Sequence, residues 1–146
     1  MISIQVESDP ALKRPEEKAA ISIISHVLQS EGVENAKTTL VFGSDELLRN
    51  LKKEFFNKDQ FTDVLAFRLN DYEESDVEGE IYISLPRVKD NARKFNEPLN
   101  KELSRLIIHG GLHLLGYEDE SEAEKKAMTG KENHYLDQVD WESIHG

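Results

Sequence analysis

The chain has 146 residues, 18 of them Lys or Arg against 29 Asp or Glu, for a formal net charge of −11, and it has no Cys. That length suits one domain with a single core, spanning 1–146, and the missing thiols exclude disulfides, thiolate zinc sites and iron-sulfur clusters, leaving His and carboxylate to hold any transition metal. The acidic balance weighs against broad, sequence-independent attraction to nucleic acid, and no apolar run is long enough to span a bilayer, so we expect a soluble, cytoplasmic protein with no membrane partner.

Along the chain, MISIQVE alternates apolar and polar side chains like an edge or half-buried strand. Pro15, Glu16 and Glu17 resemble a helix first turn, and Ala20, Ile23, Ile24, Val27 and Leu28 repeat at helical spacing until Gly32. Thr38 to Phe42, TTLVF, suits a strand, after which Gly43 turns the chain and Ser44 is the N-cap of a second helix. In FTDVLAFRL the continuous apolar residues Val64, Leu65, Ala66 and Phe67 predict a buried strand. GEIYISL predicts another, and the acidic loop between the two is too short for a crossover helix, so these strands pair antiparallel while the earlier ones, joined through helices, run parallel.

Val88, Ala92 and Phe95 mark a short helix. Asn96 and Pro98 then open a longer one that runs through Leu99, Leu103, Leu106, Ile107 and His113. Ser121 and Glu124 form a capping-box pattern for a last helix with Met128, Tyr135, Leu136 and Val139 on one side. The expected fold is α+β, a mixed sheet of roughly four strands packed by about five helices.

The chemistry concentrates in HGGLHLLGYED, His109 to Asp119. Residues four apart on a helix stand one above the other, so His109 and His113 present both imidazoles to the same side. Gly116 suits the left-handed conformation that ends a helix, which lets the chain double back before Ser121 and bring the Asp119 carboxylate to the two rings. Two imidazoles and a carboxylate are the ligand number of a catalytic zinc site, which keeps a fourth position for water. A helical His pair alone is as readily a packed pair as a ligand pair; the glycine stop and the acid favour metal. His26, His134 and His145 lack such company and are read as ordinary surface or partly buried residues. Metzincin peptidases share the two-His spacing but carry a Glu general base after the first His, where this chain has Gly110, so that peptidase chemistry does not follow.

Three blocks, HGGLHLLGYED, TDVLAF (Thr62 to Phe67) and GEIYIS (Gly79 to Ser84), come in the order seen in the YbeY family of bacterial zinc-dependent endoribonucleases and ribosomal RNA maturation factors. The first resembles the family signature HGxLHLxGYDH through Tyr117, with Asp119 where most members have a third His. The resemblance implies one zinc ion at His109, His113 and Asp119, the last substitution making the site one charge more negative. It further implies cleavage of single-stranded RNA in maturation of the 3′ end of small-subunit (16S) ribosomal RNA, with ribosomal RNA and the small subunit as partners.

Many members carry an arginine where Phe56 stands, so that residue's role cannot be carried over. Lys58 and Arg68 are the candidate substitutes for substrate contact, each weighed against an ordinary surface charge. No side chain in the sequence is an evident general base. Two other readings stand beside the nuclease: a ribosome-associated binding module whose zinc is structural or vestigial, and a zinc hydrolase of a non-RNA substrate.

Overall fold

In the computed structural model, which describes residues 1–144, strand β1 (Ile2–Ser8) pairs parallel with β2 (Ala36–Gly43) after a crossover through helix α1 (Glu17–Ser30). β2 pairs parallel with β4 (Val77–Ser84), and helix α2 (Asp45–Phe56) and strand β3 (Val64–Arg68) lie between them in the chain. β3 returns antiparallel onto β4, with Val64 opposite Ile83 and Arg68 opposite Gly79. The sheet order is β1-β2-β4-β3. Helices α3 (Leu85–Phe95), α4 (Leu99–Leu114) and α5 (Glu122–Leu136) follow. The mixed four-stranded sheet and five α-helices among the described residues agree with the α+β fold expected from the sequence.

Strand alternation sets the layers. Thr38, Leu40 and Phe42 of β2 and Ile81 and Ile83 of β4 point to one face and are buried, while Lys37 and Glu78 are exposed on the other. The buried face packs on α1 and α4 in one cluster that includes Ile23, Ile24, Ile107 and Leu112. Ten of the sixteen residues of α4 are buried, and two of them are glycines. A Cβ on Gly110 would stand 2.6 Å from Ile81 Cγ2 of β4, and one on Gly111 would stand 2.6 Å from Ile24 Cδ1 of α1. The glycine pair therefore lets α4 approach the sheet and α1 at once. α2 crosses the other face, where Phe55 and Phe56 meet the ring of Phe67 at 5.4 and 5.8 Å between centroids.

Three expectations change. β3 is not a buried strand: Leu65 is its one buried residue, because β3 forms the sheet edge, and the helices cover its Leu65–Phe67 side and its Val64–Ala66 side only in part. A continuous apolar run does not distinguish a central strand from an edge strand whose two faces are both partly covered. Helix α1 starts at Glu17, with Glu16 as the N-cap that accepts from the Ala19 N–H at 2.6 Å. Helix α5 ends at Leu136, so Val139 lies in the following turn, its N–H bonded to Tyr135 O. The Ser44 cap and the Ser121–Glu124 capping box both form.

Candidate metal centre

The site is built where α4 stops. Gly116 takes φ +97°, its N–H bonds to His113 O at 3.0 Å, and Tyr117 N–H bonds back to Leu112 O at 3.2 Å. A side chain with Cβ is strained in that left-handed conformation, so the glycine allows the reversal. The returning segment is then fixed by Glu31, at the end of α1, which accepts from Tyr117 Oη at 2.5 Å, from Lys131 Nζ at 2.9 Å and from Tyr135 Oη. Burial works to raise the Glu31 pKa, but these three donors and the lysine charge outweigh it and hold it below the ordinary value. Tyr117 is thereby anchored two residues before Asp119.

His109, His113 and Asp119 converge as the spacing implied. The two rings stand 4.5 Å apart between centroids. Asp119 Oδ2 lies 3.4 Å from His109 Nε2, and Oδ1 lies 3.5 Å from His113 Nε2. One donor atom from each of the three residues falls within 4.8 Å of the others. Tetrahedral ligands bound at roughly 2.0–2.1 Å stand about 3.3 Å from one another, so this donor set fits a divalent ion such as zinc. Two imidazoles and a carboxylate leave a coordination place for a non-protein ligand.

Behind these three residues, Glu132 of α5 accepts from His109 Nδ1 at 2.6 Å. That bond keeps the ring proton on Nδ1 and leaves the Nε2 lone pair toward Asp119. Burial opposes the imidazolium form of His109, yet the hydrogen bond and charge of Glu132, with the charges of Asp119 and Asp63, raise its pKa above the usual histidine value. A metal ion held through Nε2 would have to displace that extra proton.

His109, Asp119 and Glu132 line a cleft of about 340 Å³ together with Asp63, Asn91, Glu102 and Arg105. The Asn91 amide donates to Asp63 at 2.9 Å and to Glu102 at 3.4 Å. Glu102 is only 5% exposed. Burial raises its pKa despite the opposing Arg105 charge and Asn91 bond, with Asp63 and Glu132 adding to the rise.

The two candidate substrate-contact cations lie elsewhere. Arg68 donates to five backbone or side-chain acceptors, among them Leu114 O at 2.8 Å and Asn70 Oδ1 at 2.6 Å, and so ties the acidic loop to the end of α4. Lys58 is exposed in the loop after α2, and Phe56 lies at the end of α2 against Phe67. Neither Lys58 nor Arg68 lines the cleft. His26 and His134 are both hydrogen-bonded to Gln138, away from the cluster, and His145 lies outside the described residues. Gly110 cannot stand in for a metzincin base, because any side chain there would point into Ile81.

Sequence reading did not select Glu132, Glu102 or Arg105. The signal was present for the first: Met128, Glu132, Tyr135 and Leu136 share one helical face, and an acid on a buried face needs a partner.

Residues 3–140 match the family model described as Endoribonuclease YbeY. The chain is 38% identical over 137 residues to the Endoribonuclease YbeY of Flavobacterium psychrophilum, covering 93% of this chain and 94% of that one. It is 40% identical over 135 residues to that of Chloroherpeton thalassium, covering 92% and 94%. The solution structure of a Thermotoga maritima protein aligns with a TM-score of 0.63 at 28% identity, covering 94% of this chain and 89% of the other. With the family model spanning nearly the whole chain and relatives this similar along their own lengths, the protein belongs to the YbeY family.

Proposed function

We propose that the protein is a metal-dependent endoribonuclease that works as a single domain in the cytoplasm. It cuts single-stranded RNA in the maturation of the 3′ end of 16S ribosomal RNA, with one zinc ion as cofactor and the small ribosomal subunit as its setting. The observation that carries this reading is the convergence of His109, His113 and Asp119 at an accessible cleft, in a chain whose relatives are named endoribonucleases. A divalent ion held by these residues supplies Lewis acidity to a phosphoryl oxygen and acidifies water.

The chain's own groups do the rest. Glu132 holds the His109 proton at Nδ1 so that Nε2 stays a ligand atom. Glu31, through Tyr117, holds the turn that carries Asp119. Glu102, buried in the cleft wall, keeps its proton to higher pH than an exposed glutamate does, and it is a carboxyl group available for proton exchange near a bound strand.

The test is cleavage of a labelled single-stranded RNA by metal-loaded wild type, by chelator-treated protein and by His113→Ala. We expect cleavage by the first alone. Equal rates in all three overturn the reading. One observation favours a competitor: four carboxylates line the cleft, which suits a less anionic substrate than RNA and so a zinc hydrolase of another ester or amide. Faster turnover of a small ester or peptide than of RNA by the same preparation would support that competitor.

A further inference from the structure

The acid-lined cleft sets an electrostatic problem for any RNA. Asp63, Glu102, Asp119 and Glu132 face it, and among the described residues lining it Arg105 is the one permanent cation. An entering phosphate needs positive charge close by, and the protein's own supply of it is this guanidinium.

Arg105 is placed for that task. It stands four residues before His109 on α4, as His109 stands four before His113, so the three side chains project along one face of the helix. A single carboxylate ties it to the ligand set: Glu132 Oε1 accepts from Arg105 Nη1 at 3.2 Å while Oε2 accepts from His109 Nδ1 at 2.6 Å. Asn133 Oδ1 also accepts from Nη1, at 3.1 Å. Arg105 Nε is 3.7 Å from Glu102 Oε1, too far for a hydrogen bond.

The guanidinium is thus hydrogen-bonded through Nη1 alone, while Nε faces Glu102 only as a longer ion pair. Among the described residues, Nε and Nη2 have no hydrogen-bond partner in the protein, although the side chain is only 22% exposed. A planar fork with unused donors inside a cleft matches the geometry of a phosphate, which arginine binds through two parallel N–H bonds.

We propose that Arg105 grips a backbone phosphate of the single-stranded substrate inside the cleft, supplying the cation that Phe56, Lys58 and Arg68 do not bring there. This rests on the nuclease reading above. It differs from a structural role for Arg105, in which the side chain serves only to hold Glu132.

The experiment uses the full chain, matched for bound metal, as wild type, Arg105→Gln and Arg105→Lys. Each is titrated by fluorescence anisotropy with a single-stranded RNA carrying 2′-O-methyl groups to resist cleavage, at several salt concentrations. Arg105→Gln is expected to weaken binding about tenfold or more and to lower the slope of log Kd against log salt by about 0.7, the value of one lost phosphate contact on a single strand. Arg105→Lys keeps the slope and loses only part of the affinity, because the charge survives and the fork does not.

An unchanged salt slope in Arg105→Gln overturns the assignment, whether or not affinity falls. If Arg105→Gln does not fold, Arg105→Lys decides: reduced affinity with the wild-type slope supports the grip, and wild-type affinity overturns it. Cleavage of unmodified RNA by wild type is scored separately. Cleavage combined with an unaltered slope in Arg105→Gln removes the Arg105 proposal alone, whereas no cleavage and no binding by wild type remove both.

Discussion

The Nδ1 atom of His109 stands 2.6 Å from the Glu132 carboxylate, twenty-three residues further along the chain and on a different helix. The contact sets which ring nitrogen is free and raises the basicity of that nitrogen, as carboxylates behind metal-bound histidines do. Glu132→Gln keeps the shape and an acceptor oxygen but removes the charge. We expect zinc affinity to fall by about 10–100-fold, measured by competition with a chromophoric chelator. An unaltered affinity would show that the ring's orientation is fixed by packing alone.

The Gly110–Gly111 pair predicts two different costs. An added Cβ at Gly110 meets Ile81 Cγ2, a methyl on the branched carbon of a strand residue in the core, which has little room to move. At Gly111 the atom met is Ile24 Cδ1, the far end of a side chain that can rotate away. Alanine also gains helix propensity of about 1 kcal/mol over glycine at either position. Overpacking costs about 1–3 kcal/mol, so Gly110→Ala comes out destabilising and Gly111→Ala close to neutral. Urea unfolding of the two variants checks this ordering, and a Gly111→Ala protein less stable than Gly110→Ala would contradict it.

These contacts also explain which parts of the fold and site were legible in the sequence. His109, His113 and Asp119 could be placed because their relation is local: one helical turn, one glycine stop and one short reversal bring them together. Ser44 and Ser121 announced their helices for the same reason. Edge position is not local. Nothing within VLAF distinguishes a strand flanked on both sides from β3, which has a neighbour only in β4. Arg68 looked like a free surface cation because its acceptors, Leu114 O among them, come from distant or irregular backbone. Arg105 escaped notice on α4 because its meaning depends on Glu132, which only the packing of α5 against α4 supplies.

The Glu31 cluster carries a pH dependence whose sign is fixed by its direction of shift. Burial raises the Glu31 pKa, but bonds from Tyr117, Tyr135 and Lys131 bring it below the ordinary value of 4.5, while burial and then the bond to Glu31 push Tyr135 up to about 12 against the opposing Lys131 charge. A carboxylate whose folded pKa is depressed contributes its full stability above the unfolded pKa and loses it as pH falls through the folded value. Glu31 is 10% exposed, so removing its charge should cost about 1.5–3 kcal/mol at neutral pH, the range for hydrogen bonds to a charged group. Glu31→Gln should therefore be less stable than wild type at pH 7, and the gap should narrow as pH falls below 4.5. Denaturant titrations at pH 7 and at pH 3.5 measure it; a gap that stays constant or widens toward acid would assign the stability to packing.

Asp119, the carboxylate of the candidate site, offers a test of what an oxygen donor does beside two imidazoles. Asp119 reaches both rings through its two oxygens, at 3.4 and 3.5 Å, and is anchored by a turn that Tyr117 and Glu31 hold in place. Carboxylate oxygen suits harder ions such as manganese and magnesium, and imidazole nitrogen suits zinc. Asp119→His also removes one negative charge from a cleft that keeps Asp63, Glu102 and Glu132. The histidine should sharpen the preference for zinc over manganese, because the softer donor favours zinc while the lost charge weakens attraction to any divalent ion. Asp119→Ala, which leaves only the two imidazoles, should lose both metals by a larger factor. Competitive titration of the three proteins with each metal distinguishes donor chemistry from charge: if Asp119→His changes zinc and manganese affinity by the same factor, charge alone governs the position and the nature of the donor atom does not matter.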